Sequence, residues 1–194
     1  MAAVAMADQD ALAELMRRHA VPMLQYAQRL SGDAAAAQDL AQDTWLKAWQ
    51  QADRYQAGKA QVSTWLYRIL HNRFIDTQRK DKRLLWFGLK LPEGDTNPAR
   101  PGATPSAASD PVSAEGAQDT GPIVEKEQLN TALSSGLSEL PPNQRAALLL
   151  KHGRGLSNPE VAQIIGVSVR AVESLQARAK KTLRNSLEHI YESS

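Results

Sequence analysis

VSTWLYRILHNRFIDTQRKDKR, residues 62–83, is the stretch on which the reading of this chain turns. Neither Gly nor Pro interrupts it and Ser63 is a candidate N-cap, so it predicts one long helix. Leu66, Ile69, Leu70 and Phe74 recur at three- and four-residue spacing, which makes a stripe for burial. Arg68, Asn72, Asp76, Arg79 and Arg83 follow one another around the opposite face. The basic residues Arg68, Arg73, Arg79, Lys80, Lys82 and Arg83 outnumber the acids Asp76 and Asp81. Trp65, Tyr67, His71 and Phe74 are interleaved with them. Cations bind phosphate, flat rings stack on unpaired bases, and an amide reads a base edge. An ordinary amphipathic helix with a solvated basic face has the same pattern, and this stretch alone does not separate the two.

Around that helix, composition sets bounds. A chain of 194 residues holds one medium domain or two small ones, and 42% hydrophobic residues support folded cores. The absence of cysteine excludes disulfides, zinc fingers and thiol catalysis. There is no apolar run long enough to span a bilayer, and MAAVAMADQD lacks the basic flank and apolar core of a signal peptide. A soluble cytoplasmic protein with no direct membrane insertion is therefore expected. The net charge of +2 says little, but its distribution says more. Residues 1–83 and 125–194 are mildly basic, whereas 84–124 are acidic. All the aromatic residues except Tyr191 fall between Tyr26 and Phe87, so the two ends are different kinds of module.

Before the central stretch, Leu12, Leu15, Met16, His19, Met23, Ala27 and Leu30 make a helical stripe, with a bend or break expected at Pro22. Ser31-Gly32 ends that helix, and Asp33 caps a second one running to about Ala52. Ala41, Trp45, Ala48 and Trp49 offer the second helix a buried side. Asp39, Gln42, Asp43 and Leu46 share another face, an acidic-polar strip with one apolar contact. The strip suits docking on a basic partner, but taken alone it reads more simply as solvated surface with Asp43 paired to Lys47. A short loop, Arg54–Gln61, leads into the central helix.

After it, Leu84–Leu91 (LLWFGLKL) either closes the first module's core or is covered by a partner. Residues 92–122 hold six of the ten prolines, four of the eleven glycines and no aromatic residue, which predicts a flexible linker. Fully extended, that segment reaches on the order of 100 Å, more than two turns of B-DNA at about 70 Å.

The rest of the chain, 123–194, carries the most specific motif. Val124–Ser138 is expected as one helix with Leu129, Leu133 and Leu137 inward, and Asn143–Lys151 as another, ended by Gly153. Ser157-Asn158-Pro159-Glu160 is a capping box that opens a helix burying Val161, Ile164 and Ile165. Gly166 makes the turn, Ser168 caps the next helix, and Val169, Val172, Ala179 and Leu183 continue the stripe. Helix, glycine turn and helix at this spacing is a helix-turn-helix. Its second helix offers Arg170, Glu173, Ser174, Arg178, Lys180 and Lys181 to a DNA major groove. The expected fold is therefore all-α: two small helical domains, 1–91 and 123–194, joined by a flexible linker.

Three blocks together resemble the extracytoplasmic-function sigma factors of bacterial RNA polymerase, within the sigma-70 family. They are QDLAQDTWLKAW (38–49), STWLYRILHN (63–72), and Leu140–Leu183 with LPPNQRAALLL and the helix-turn-helix. The resemblance implies a protein that binds core polymerase and directs promoter recognition and melting, with no cofactor, no metal and no catalysis of its own. It implies that Asp39, Gln42, Asp43 and Leu46 dock on the β′ clamp coiled coil, and that the β flap is a second contact. It implies that the loop and helix at 54–83 read the minus-ten element of promoter DNA and hold a flipped base. The residues concerned are Trp65, Arg68, His71, Asn72, Arg79, Lys80, Lys82 and Arg83, with Asn72 at the position of a base-contacting asparagine. It implies minus-thirty-five recognition by Arg170, Glu173, Ser174, Arg178, Lys180 and Lys181. An anti-sigma factor is implied as a further partner, with LLWFGLKL and the linker as candidate places for it to act. Two departures from the family pattern stand out. Gln61-Val62 replaces a common Phe at the base pocket, and Glu173 and Leu175 replace residues that are commonly basic.

Two other classes remain from the residues alone. A helix-turn-helix regulator would bind duplex DNA without polymerase and without need of the acidic strip. A nucleic-acid enzyme would need clustered ligands or bases, whereas His19, His71, His152 and His189 are scattered.

Overall fold

The computed structural model describes residues 1, 4, 6, 8–86 and 131–192, and every regular element among them is helical. The linker expected at 92–122, residues Phe87–Leu91 and Leu129 lie outside the described residues.

The first module is built from three helices. Helix α1, Gln9–Ser31, starts at Asp8, whose carboxylate accepts from the N–H groups of Asp10 and Ala11. It ends at Gly32, where a left-handed φ of 78° lets the N–H turn back to Gln28 O. The break expected at Pro22 does not occur; the helix runs through it. Met23, Tyr26, Ala27 and Leu30, all beyond the proline, are the buried residues of α1. Their packing holds the helix together where a proline alone would end it. Leu12 and Leu15 are only half-buried and Met16 is exposed, so the N-terminal half of the expected stripe stands off the core.

Helix α2, Ala34–Gln50, is capped by Asp33, which accepts from Ala36 N–H at 2.7 Å. Its buried row is Ala37, Leu40, Thr44 and Ala48, one position round from the expected one, and Ala41, Trp45 and Trp49 are half-buried. Thr44 sits inside because its hydroxyl donates to Leu40 O at 2.7 Å, which removes the cost of burying it. A short 3-10 turn, Ala52–Arg54, leads to the loop 55–61. Helix α3, Val62–Trp86, begins one residue before Ser63, so Ser63 lies in its first turn and is not the cap. Leu66, Ile69, Leu70 and Phe74 are buried as their spacing requires. Thr64, Tyr67 and His71, on the neighbouring side of α3, are buried as well.

The second module starts with helix α4, 131–139, on which Leu137 is buried but Leu133 is 40% exposed. A Cβ at Gly136 would come within 2.9 Å of the Cδ2 methyl of Leu183, which would have to turn aside to admit it. Helix α5, Pro142–Leu148, passes into a π-turn, Leu149–Gly153. There Arg154 N–H reaches back five residues to Leu149 O at 3.1 Å. Helix α6, Asn158–Ile165, carries the capping box in full and ends at Gly166 with φ 78°. Helix α7, Val169–Glu192, follows, with Ser168 accepting from Ala171 N–H. Gln176 on α7 donates to Asn158 on α6 at 3.3 Å and fixes the angle between them. Val172, Ala179 and Leu183 are buried, while Val169 is 40% exposed.

The modules pack on each other, with α3 against α6 and α1 against α5 and the π-turn. One buried cluster runs through both, including Leu30, Leu66, Leu70, Leu140, Leu150 and Ile164. Truncating one such leucine to alanine costs about 2–5 kcal/mol. Arg145 on α5 is the polar centre of the junction. Its guanidinium donates to Leu30 O of α1 at 2.7 Å and to Ser138 O and Leu140 O at 2.5 and 3.1 Å. It thus satisfies carbonyls at two helix ends with a positive charge, where the helix dipoles favour one. Burial lowers the Arg145 pKa from its ordinary value. Arg154 adds a second tie, its guanidinium 5.8 Å from the centre of the Tyr67 ring.

Candidate nucleic-acid interface

The acidic strip on α2 faces outward. Asp39 and Gln42 are exposed and Leu46 is 56% exposed, a large apolar side chain left in water. Asp43 pairs with Arg73 of α3, thirty residues away, and not with Lys47. The strip is therefore braced from the neighbouring helix.

On α3 the expected contacts Arg68, Asn72, Arg79, Lys80 and Arg83 are exposed, together with Asp76 and Thr77, while the side chain of Lys82 lies outside the described residues. The cations outnumber the one acid, Asp76, on this face of the helix. Trp65 is half-buried, with its ring edge-on to Tyr55 at 5.6 Å. The Tyr55 hydroxyl donates to Ala60 O at 2.9 Å and so pins the loop 55–61. Tyr55 was not among the residues expected to matter; the signal available was an aromatic ring inside the loop ahead of Trp65.

His71 is corrected. It is 2% exposed, its Nδ1 has no hydrogen-bond partner, and burial pushes its pKa down to about 4. A neutral, enclosed imidazole contacts neither phosphate nor base. Beside it, Tyr67 meets Tyr26 edge-on with ring centres 5.3 Å apart, and burial raises the pKa of both phenols.

On α7, Arg170, Glu173, Arg178, Lys180 and Lys181 are exposed. Ser174 is half-buried and accepts from Arg178 at 3.0 Å, which sets the direction of that guanidinium. The capping box of α6 has Ser157 donating from Oγ and from N–H to Glu160 at 2.6 and 2.8 Å. These bonds hold the Glu160 carboxyl below its ordinary pKa. Among the described residues no group of three or more His, Cys, Asp or Glu side chains could hold a metal ion. None of their helices is long and apolar enough to cross a membrane.

The strip, the basic face and the helix-turn-helix coincide with sequence and structure families. Residues 15–84 match Sigma-70 region 2 and residues 131–183 match Sigma-70, region 4. The ECF RNA polymerase sigma factor SigE of Mycolicibacterium smegmatis is 31% identical over 179 residues, 90% of this chain and 60% of SigE. The ECF RNA polymerase sigma factor SigG of Mycobacterium tuberculosis is 32% identical over 166 residues, 84% of this chain and 45% of SigG. The chain thus spans about half to three-fifths of those two relatives. SigW of Bacillus subtilis, another ECF RNA polymerase sigma factor, is 28% identical over 94% of this chain and 92% of its own length. Among solved structures, the sigma factor RpoE of Bartonella quintana, crystallised with the anti-sigma factor NepR, overlays 91% of this chain and 96% of its own. Its TM-score is 0.65 at 25% identity. CnrH, solved with the cytosolic domain of CnrY, shares the fold, with a TM-score of 0.64 at 24% identity. The chain belongs to the sigma-70 family, in its ECF group.

Proposed function

We propose that this chain binds core RNA polymerase and directs it to promoters, as a non-enzymatic initiation factor acting in the cytoplasm. Asp39, Gln42, Asp43 and Leu46 dock on the β′ clamp coiled coil, and the second module meets the β flap. The loop 55–61 and α3 read the minus-ten element through Trp65, Arg68, Asn72, Arg79, Lys80, Lys82 and Arg83. Helix α7 reads the minus-thirty-five element with Arg170, Glu173, Ser174, Arg178, Lys180 and Lys181. An anti-sigma factor is a further partner, by analogy with RpoE and its complex with NepR.

One observation carries this reading: a single packed body exposes an acidic-apolar strip on α2, a basic face with an amide on α3, and a basic helix-turn-helix. A regulator that only gripped duplex DNA would use the last of these and leave the first two idle. Opening a duplex costs about 1.4 kcal/mol per stacked step, so a protein that melts DNA must prefer the unpaired strand. Trp65, half-buried beside the exposed cations of α3, supports that preference, at roughly 1–3 kcal/mol per stacked base plus phosphate contacts. The test is runoff transcription with bacterial core polymerase. Promoter-dependent transcripts that vanish without this chain are expected. DNA binding by the chain alone, with no retention on core polymerase, would overturn the reading in favour of a simple regulator.

A further inference from the structure

We propose that Glu173 makes the DNA-reading face of α7 selective for cytosine, its carboxylate accepting from the N4 amino group of that base in the major groove. The proposal rests on the reading of α7 as the minus-thirty-five helix and adds the base that one of its side chains requires.

Between Val169 and Arg184, α7 carries five cations, Arg170, Arg178, Lys180, Lys181 and Arg184, and a single acid, Glu173. Val172, Gln176, Ala179 and Leu183 are its buried side. Arg170, Glu173, Ala177 and Lys181 follow one another along the opposite side at spacings of three and four, and all are exposed. The small side chain of Ala177, one turn beyond Glu173, leaves the carboxylate room to meet a flat base edge.

The fold makes no use of this carboxylate. Ser168 caps the helix, and Arg178 is held by Ser174. Glu173 itself has no hydrogen bond or ion pair with any described residue. Arg170 stands three residues before it, and cation before acid is the weaker order for a helical pair. Glu173 is the fifth residue of α7, in the half of a recognition helix that meets base edges.

A carboxylate beside DNA phosphates lowers affinity unless a base donates to it. It can only accept. In the major groove guanine presents two acceptors, and thymine an acceptor and a methyl group. Adenine sets its N6 donor beside the N7 acceptor, whereas cytosine offers the N4 donor alone. Cytosine therefore satisfies Glu173, and guanine and thymine oppose it. The five cations hold any duplex by its phosphates, and the one acid rejects most of the sequences they would accept.

The test uses the full chain assembled with bacterial core polymerase. Competition binding is measured on promoters carrying each of the four bases in turn at every minus-thirty-five position. The wild type should prefer cytosine at one position by about 5- to 150-fold over guanine or thymine. Glu173→Ala should erase that preference, gaining affinity for the guanine and thymine promoters while losing it for the cytosine one. Glu173→Gln both donates and accepts, so it should move the preference at the same position from cytosine to adenine. Preferences at other positions should survive in both variants. If both variants raise binding to every promoter by one common factor, Glu173 acts by charge alone and the proposal is overturned. An unchanged preference, or loss of a preference for a base other than cytosine, overturns it as well. A wild type indifferent to every minus-thirty-five position would instead overturn the reading of α7 itself, and the proposal with it.

Discussion

Replacing His71 with glutamine separates a buried imidazole from a nucleic-acid contact. The side chain is 2% exposed, its Nδ1 is unpartnered, and burial pushes its pKa from 6.5 to about 4. Protonation then favours the unfolded chain, in which the imidazole has its ordinary value. The contribution of neutral His71 is therefore complete above the unfolded value and is lost as pH falls from there towards the folded one. Between about pH 7 and pH 5 the loss is about 2 kcal/mol. Glutamine is polar but does not titrate, so its own packing cost cancels when the two pH values are compared. Urea unfolding of wild type and His71→Gln at both pH values should show the wild type losing about 2 kcal/mol more than the variant on acidification. Parallel losses would refute the reasoning. They would mean that His71 titrates like an exposed side chain and is able to meet phosphate after all.

Three further outcomes are expected. Asp43→Arg should abolish core polymerase binding by pull-down; the lost surface pair with Arg73 costs up to about 1 kcal/mol, so the circular dichroism melt should move little. Asn72→Ala should weaken open-complex formation, read by permanganate, on some minus-ten sequences by about 5- to 150-fold more than on others. Arg79→Ala should instead weaken all of them alike and lower the salt slope by about one. Ser157→Ala should remove the capping box and cost about 1 kcal/mol by urea unfolding, and duplex affinity should fall only as far as the second module unfolds.

What the chain reveals in one dimension is what neighbouring residues decide. Leu66, Ile69, Leu70 and Phe74, the Ser157–Glu160 box and Gly166 were legible because spacing and backbone conformation are local properties. The outward strip of Asp39, Gln42 and Leu46 was legible for the same reason. Partners remote in sequence were not. Asp43 has an i+4 lysine, yet its ion pair is made across to α3, because helix packing brings Arg73 nearer. Pro22 is a local stop signal overruled by the packing of Met23, Tyr26 and Leu30. Tyr67 reads as a surface ring among cations until the second module, far along the chain, lays Arg154 over it. Arg145 carries no local mark of burial at all; its role appears only when carbonyls of two helix ends converge on it.

The π-turn at Leu149–Gly153 makes the junction sensitive to residue count as well as residue type. A helix that closes one ring through five residues, as Arg154 does to Leu149, carries one residue more than its α-helical equivalent. The π-turn closes α5, and Arg154 and a loop with Gly155 at a left-handed φ of 68° follow it. Deleting a single residue there would move Arg154 back by one helical position, about 100° around the α5 axis. Arg154 would leave the Tyr67 ring, and the helix-turn-helix would present a different side to α3, with no residue of either surface changed. The segment from Arg145 to Arg154 works as a ruler: substitutions test its chemistry, but a one-residue deletion tests the phase between the two modules.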